Sequence, residues 1–419
     1  MFLSLRIASH LRMMKFPLHK IFNRENLYRL LLIVFGLSLS LVVGEYGLRL
    51  YLANQKDNKY YVWPPNLRTV YKPAAGVMPG VKNEARFFTN TYGIRGDDFS
   101  AQQAYRILAI GGSTTECLYI DQDQSWPYAL QRKLNDKHAP SVWVGNIGKS
   151  GLGTREHYMH MKYLLDQYPK IDMVIILTGG NDLLRRLIED KKYDPDFLDH
   201  YDVWKQQLIR GAFSIIPYFP GKYRFRMGYY DETAIGSLYK KWRERNAHRD
   251  LYQDEAGGMF VNLRKQRKEG REFVDTLPDL SSALAEYRRN LNTIIDMANA
   301  KSIRMVFMTQ PSLWRPDLTE KEKDLLWCGW IESLKSRRYY TVKALTEGMQ
   351  RYNDALLEVC RRRGVECIDL ARLVPKDTSM FYDELHFNEQ GNALVAETLA
   401  RALQRNLRVS TKPAGQSAP

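Results

Sequence analysis

Four short stretches of this chain hold residue types that together can move an acyl group. Gly111-Gly112-Ser113-Thr114-Thr115-Glu116 sets a hydroxyl behind two glycines, which let a backbone turn sharply. If a strand ends and a helix begins there, Ser113 meets the unpaired N–H groups and positive end of that helix. A serine so placed can attack a carbonyl while its own N–H holds the oxyanion. It can equally be an ordinary helix cap. Asn146-Ile147-Gly148-Lys149-Ser150-Gly151 ends in a glycine that either offers a bare N–H toward Ser113 or merely turns the chain. Gly179-Gly180-Asn181-Asp182 carries a side-chain amide that can donate to the same oxyanion or cap the next helix. Tyr382-Asp383-Glu384-Leu385-His386-Phe387 places a carboxylate three residues before an imidazole, so one turn can point both the same way. The carboxylate can then fix the ring's tautomer and stabilise its protonated form; a surface or capping histidine is the plainer alternative. Taken jointly, nucleophile, base, orienting acid and oxyanion donors are the set that acyl transfer requires.

Such residues cooperate only if a fold gathers them. Short apolar runs at 105–110, 143–147, 173–177, 304–309 and 365–370 read as strands, and the first and third stop at Gly-Gly. Helical stretches fall at about 125–134, 154–168, 281–300, 341–363 and 391–407. Five strands separated by helices imply a parallel sheet in a three-layer α/β/α arrangement. Functional residues of such sheets collect at the carboxyl ends of the strands. Residues 185–280 break the rhythm and read as an insertion after the third strand, able to serve as a lid. Residues 51–104 read as a Pro-, Tyr- and Asn-rich linker or approach segment, the hydrolase-like body as 105–409, and 410–419 as a polar tail expected to be disordered.

In order and spacing, Ser113, Gly151, Asn181 and His386 resemble the four blocks of the SGNH hydrolases, also called GDSL-type esterases and lipases. The resemblance runs from about Tyr105 to Leu407, outside the insertion. It implies a flavodoxin-like fold with a five-stranded parallel sheet, and ester hydrolysis through an acyl-enzyme with no cofactor and no metal. Residue by residue, it implies Ser113 as nucleophile, Ser113, Gly151 and Asn181 as oxyanion donors, and Asp383 and His386 as the proton relay. Asn90-Thr91-Tyr92-Gly93-Ile94-Arg95-Gly96 and Thr309-Gln310-Pro311 also resemble segments of membrane-anchored bacterial members. One position departs from the family pattern: Gly112 stands where Gly-Asp-Ser would place an aspartate.

The rest of the sequence sets the context. An uncharged apolar run at 30–44 continues to about residue 50, the length of a spanning helix. Arg6, Arg12, Lys15, Lys20, Arg24 and Arg29 precede it, which predicts a cytoplasmic leader over 1–29, a single-pass anchor over 30–50 in the inner membrane and an exported, periplasmic remainder. A cleaved signal is the rival reading, although no small-residue cleavage site follows the run. The net charge of +15 is concentrated before that run and between Arg185 and Lys268, and no nucleic-acid motif accompanies it, so no nucleic-acid partner is expected. Four cysteines without a CxxC pair argue against zinc; Cys360 and Cys367 could bridge a helix end to the next strand. His157 and His160 have helical spacing for a metal but lack acidic company. Cys117 beside the nucleophile turn reads as a buried thiol. Trp204, Trp242, Trp314, Trp327 and Trp330 could stack on sugar rings or pack a core or lid. Lys222, Arg224 and Arg226 could attract anionic glycans or simply face water.

The resulting expectation is a serine esterase removing O-acetyl or short O-acyl groups, on a small molecule or an envelope glycan. An acyltransferase onto an exported polysaccharide uses the same residues, and a non-catalytic envelope binding or assembly protein on a degenerate scaffold is the third reading.

Overall fold

The computed structural model describes residues 24–53, 60–136, 142–200, 212–213 and 251–404. The expectations for Trp204, Trp242, Lys222, Arg224, Arg226 and the 410–419 tail, and most of that for the basic leader, lie outside those residues. The chain divides into two units, the first carrying the N-terminal helix and the second the α/β body.

Helix α1 (Arg24–Ala53) is one uninterrupted helix of 30 residues. Within its segment Arg24–Leu48 an 18-residue stretch reaches a mean hydropathy of 2.1, and none of that stretch is buried within the chain. At about 1.5 Å per residue, this is long and apolar enough to cross a bilayer core of about 30 Å.

In the second unit, residues 60–104 carry β1 (Arg68–Pro73) and β2 (Ala85–Phe88), an antiparallel pair. The body follows with β3 (Tyr105–Gly111), β4 (Val142–Asn146) and β5 (Met173–Leu177). The region read as an insertion supplies β6 (Leu251–Ala256) and β7 (Glu272–Val274). Then come β8 (Arg304–Met308), β9 (Arg338–Tyr340) and β10 (Glu366–Ile368). Five of these form the expected parallel sheet in the order β10-β8-β5-β3-β4. Every residue of β4 and β5 is buried, and β5 accordingly reads as an unbroken apolar run. The strand order reverses between β3 and β5. That switch point is where open α/β sheets leave a crevice at their carboxyl edge.

The helices are α2 (Ser113–Glu116), α3 (Trp126–Asn135), α4 (Thr154–Tyr163), α5 (Gly180–Glu189), α6 (Met259–Lys268), α7 (Ser281–Ala300), α8 (Glu320–Lys323), α9 (Val342–Arg363), α10 (Leu370–Leu373) and α11 (Glu389–Gln404). α3 packs on α11, and α4, α5, α7 and α9 form the second helical group. α9 starts where the Thr341 hydroxyl accepts from the Ala344 N–H. It stops at Gly364, whose φ of +63° suits a residue without a side chain. α4 ends at Tyr163, earlier than the expected 168. All four cysteines are free thiols, with Cys360 and Cys367 close enough for their side chains to hydrogen-bond.

β6 pairs with β1, so the segment before the body and the insertion close a second, three-stranded sheet. The approach segment is further tied in by Arg95, whose side chain is buried. Its backbone exchanges two hydrogen bonds with Asn146 at the end of β4. Its guanidinium donates to Gln122 Oε1 and to the carbonyls of Glu116, Cys117, Arg86 and Ile120, at 2.6 to 3.2 Å. The carbonyls of Glu116 and Cys117 terminate the turn that begins at Ser113, which gives the Tyr-Gly-Ile-Arg-Gly motif its physical role. Arg95→Ala would strand those buried acceptors and should lower unfolding free energy by at least about 3 kcal/mol in a urea titration. Arg95→Lys should lose most of it too, because a single ammonium cannot reach four separated carbonyls.

Candidate active site

Ser113 is the first residue of α2, with Gly112 as its N-cap in an extended conformation. The Ser113 hydroxyl lies 2.7 Å from His386 Nε2, across 273 residues of sequence. The other ring nitrogen, Nδ1, lies 2.7 Å from Asp383 Oδ2 and 2.9 Å from Oδ1. With Nδ1–H donating to the carboxylate, Nε2 is left to accept the serine proton. Ser113 is half-buried and the His386 side chain is 12% exposed, whereas Asp383 is fully buried. The relay is thus open at its reacting end and dry at its charged end.

Asp383 is held by more than its histidine. Its Oδ1 accepts the backbone N–H groups of Leu385 and His386, and its Oδ2 accepts the Trp327 indole N–H at 3.0 Å. Burial works against its charge, yet His386 and these donors keep its carboxyl below the ordinary range. For His386, burial disfavours the imidazolium, but the Asp383 charge and hydrogen bond outweigh it and raise the ring's pKa above the ordinary 6.5. Tyr382 and Trp327 flank the imidazole with planes within 6° and 5° of it, at centroid distances of 5.3 and 6.4 Å.

The residues expected to serve as oxyanion donors lie among glycines. The Asn181 amide donates to the Leu152 carbonyl at 2.8 Å, fixing the residue after Gly151 beside it. An amide nitrogen has two N–H groups, and the bond to Leu152 uses one of them. A Cβ on Gly112 would fall 2.1 Å from that same nitrogen. Any larger residue there, the aspartate of the family pattern included, would displace Asn181 from its place against the nucleophile turn. Gly148 is equally constrained, since its Cβ would meet the Glu116 nitrogen at 2.3 Å. Gly151 has a φ of +81°, is exposed and has open space where a side chain would stand. Its loop is pinned by Lys149 N–H to the Gly111 carbonyl, by Trp63 Nε1–H to the Gly148 carbonyl, and by the Ser150 hydroxyl donating to Glu116. Asp182, next to Asn181, accepts from the Thr154 N–H and hydroxyl and so ties the loop after β5 to the start of α4. Gln310 binds the Thr114 hydroxyl at 3.2 Å, which accounts for the Thr309-Gln310-Pro311 motif.

Sequence reasoning missed three groups. Trp327 was noted only as an aromatic, with no sign of its bond to Asp383. Arg264 of α6 donates to the Tyr382 carbonyl at 3.1 Å and to Val77 and Leu325, while Arg267 donates to the Cys328 and Tyr340 carbonyls. Glu384 is buried and accepts the backbone N–H groups of Trp327 and Cys328, so it holds the strand of chain that presents the indole. A basic residue at 264 is no signal by itself, because its acceptors are backbone carbonyls far away in sequence. His157 and His160 are fully buried, and burial depresses them to about 4 and about 3. Among the described residues no group of three or more candidate metal ligands occurs. Cys117 is a buried thiol donating to Asn392 Oδ1, and Trp314 is fully buried, which leaves Trp327 and Trp330 as the half-exposed pair.

Two pH effects follow. His386 must be neutral to accept a proton, and its pKa is raised, so ester hydrolysis should fall on the acid side through a limb above 6.5, measured as kcat/KM against pH. A limb at or below that value would contradict the geometry. Separately, burial pushes Glu116 from 4.5 to about 7. The folded state therefore holds a proton that the unfolded chain releases earlier. Stability attributable to this group declines as pH rises from about 4.5 to about 7, by up to about 3 kcal/mol. Glu116→Gln, which keeps an acceptor without the charge, should raise Tm at pH 8 more than at pH 5; an equal change at both would show that burial of this charge is not the source.

The chain is matched over residues 109–394 by the model of the GDSL-like lipase/acylhydrolase family, well over half its length. No curated protein matches it by sequence. Among solved structures, it is similar to an acetylxylan esterase from Geobacillus stearothermophilus at 12% identity, with 72% of this chain and 95% of that one covered and a TM-score of 0.37. A lipase/acylhydrolase from Enterococcus faecalis is similar at 15% identity, with 74% and 100% covered and a TM-score of 0.37. An α/β hydrolase from the metagenome of Lake Arreo, Spain, is similar at 13% identity, with 72% and 96% covered and a TM-score of 0.38. The match of nearly the whole α/β body, from the end of β3 into α11, decides the classification: the chain belongs to the GDSL-like lipase/acylhydrolase family of ester hydrolases.

Proposed function

We propose that the protein is a membrane-anchored serine esterase that removes short O-acyl groups, O-acetyl foremost, from a glycan on the outer side of the cytoplasmic membrane. The observation that carries the chemistry is the unbroken chain from Ser113 through His386 to Asp383, at 2.7 Å for each link. In this reading the Ser113 hydroxyl proton passes to His386 Nε2 as the oxygen bonds to the ester carbonyl carbon. The oxyanion is held by the N–H groups of Ser113 and Gly151 and by the Asn181 amide. His386 then gives its proton to the departing alcohol, leaving an acyl group on Ser113. Water, deprotonated by the same ring, releases the acid and restores the serine. Asp383 stays ionised throughout and stabilises the imidazolium.

The substrate's location is argued from the anchor. The basic residues Arg24 and Arg29 stand at the start of α1, with Arg6, Arg12, Lys15 and Lys20 before it, which favours a cytoplasmic N-terminus and an external α/β body. An esterase tethered there meets envelope polymers before soluble metabolites. No titratable cluster beyond the relay is needed for this chemistry, and no nucleic-acid partner is proposed.

The test is labelling of the full-length protein with a fluorophosphonate, alongside hydrolysis of a short acyl ester. Ser113→Ala should abolish both, and persistent labelling of that variant would remove Ser113 from the role. Asn181→Ala should still label but turn over roughly 100- to 1,000-fold more slowly.

A further inference from the structure

A groove of about 360 Å³ is lined by Met259, Asn262, Leu263, Trp327, Trp330 and Leu334. The proton relay uses only the indole N–H of Trp327. Its ring instead stacks on Trp330 at a centroid distance of 5.9 Å and an interplanar angle of 30°, and both rings are half-exposed. The groove shares Trp327 with the relay: the indole lies within 5° of the His386 ring plane at 6.4 Å, and its N–H holds Asp383. Its frame is rigid: Glu384 fixes the backbone of Trp327 and Cys328, Arg267 holds the Cys328 carbonyl, and Trp330 bridges to Tyr339.

We infer that this groove is the subsite for the alcohol part of the ester, and that it receives a sugar ring on the Trp327/Trp330 platform. The assignment rests on the esterase reading of Ser113. Its direction comes from the order of proton transfers. The carbonyl oxygen must face Asn181 and Gly151, whereas the departing oxygen must face His386 Nε2 to be protonated. The group beyond the departing oxygen is therefore on the His386 side of the nucleophile, and Trp327 is a half-exposed aromatic beside that ring. The acyl chain stays on Ser113 and is not the group that this side must seat. The lining suits a sugar ring: flat indole surface for its C–H face, aliphatic walls from Met259, Leu263 and Leu334, and the Asn262 amide for a hydroxyl. Sites of this kind are mainly apolar with a few placed polar groups.

The experiment compares two acetate esters with different alcohols, an O-acetylated methyl pyranoside and ethyl acetate, on the full-length protein and on Trp330→Ala. Trp330 touches none of the relay atoms. Loss of one stacking surface should raise KM for the pyranoside ester about tenfold. The kcat on that ester, and both constants on ethyl acetate, should stay within about twofold. Trp330→Phe, which keeps an aromatic face, should recover most of the affinity, and an unchanged Tm in both variants separates binding from folding. Equal losses on the two acetates, or no loss on either, would overturn the subsite. So would a loss confined to a longer acyl chain, tested with ethyl hexanoate, because the groove would then hold the acid part. If the wild type hydrolyses none of these esters and Ser113 does not label, the esterase reading fails together with the subsite. Turnover of both acetates without a selective effect of Trp330→Ala defeats the subsite alone.

Discussion

A carboxylate removed from water is the constraint around which the site is built. Asp383 has no exposed surface, and an ionised group in that position is tolerated only when donors replace its lost hydration. Here they come from two backbone N–H groups of its own turn, the imidazole and the Trp327 indole. Each donor has its own support. The turn is closed by Tyr382 N–H to the His386 carbonyl, and the Tyr382 carbonyl is capped by Arg264. The indole is placed by Glu384. Removing any one of these supports acts first on the charge of Asp383, and through it on the tautomer and tilt of His386.

This makes the region read as an insertion part of the machinery. α6 lies within it, and Arg264 and Arg267 on that helix reach five carbonyls in the segments around 77, 325–328, 340 and 382. Phe260 on the same helix packs against Trp327, Tyr382 and His386. The nucleophile's side is organised by a different means, close backbone approach. Gly112 and Gly148 admit neighbours at distances no side chain would allow, and Arg95 collects the carbonyls that end α2. The relay's half of the site is thus held by long cationic side chains arriving from far away, the nucleophile's half by close glycine approaches together with Arg95.

That division explains how much of the site is legible in the sequence. The five sheet strands were legible to within two residues at each end, because β3, β5 and β8 are largely buried apolar runs and two of the five stop at paired glycines. Ser113, Asn181, Asp383 and His386 stood out because their types are scarce in combination at strand ends, and all four converge on one rim. Gly151 is brought beside Asn181 through Leu152. The three-stranded sheet was not legible: β1 and β6 mix polar, charged and apolar residues, and β1 pairs with a strand some 180 residues later, so nothing local announces it. Trp327, Arg264 and Glu384 were silent for the same reason. Their partners are backbone groups or a carboxylate brought near only by tertiary folding, and an arginine that binds carbonyls leaves no pattern in the chain.

The electrostatics around His386 also decide which carboxyl serves it. Three lie close enough to act on its charge: Asp383, Glu384 and Glu116. Burial pushes all three toward the neutral form, but only Asp383 ends below its ordinary range, because only it shares a proton with the ring and accepts an indole and two amides. Glu116 is driven up to about 7 with Ser150 as its hydrogen-bond donor, and Glu384 is raised further by the charge of its neighbour Asp383. Further negative charge beside the ring would raise the imidazole's pKa more, and burial opposes ionisation of both Glu116 and Glu384. Environments that push neighbouring carboxyls in opposite directions favour one charge at Asp383 paired with one ring, the arrangement that the proposed base His386 needs.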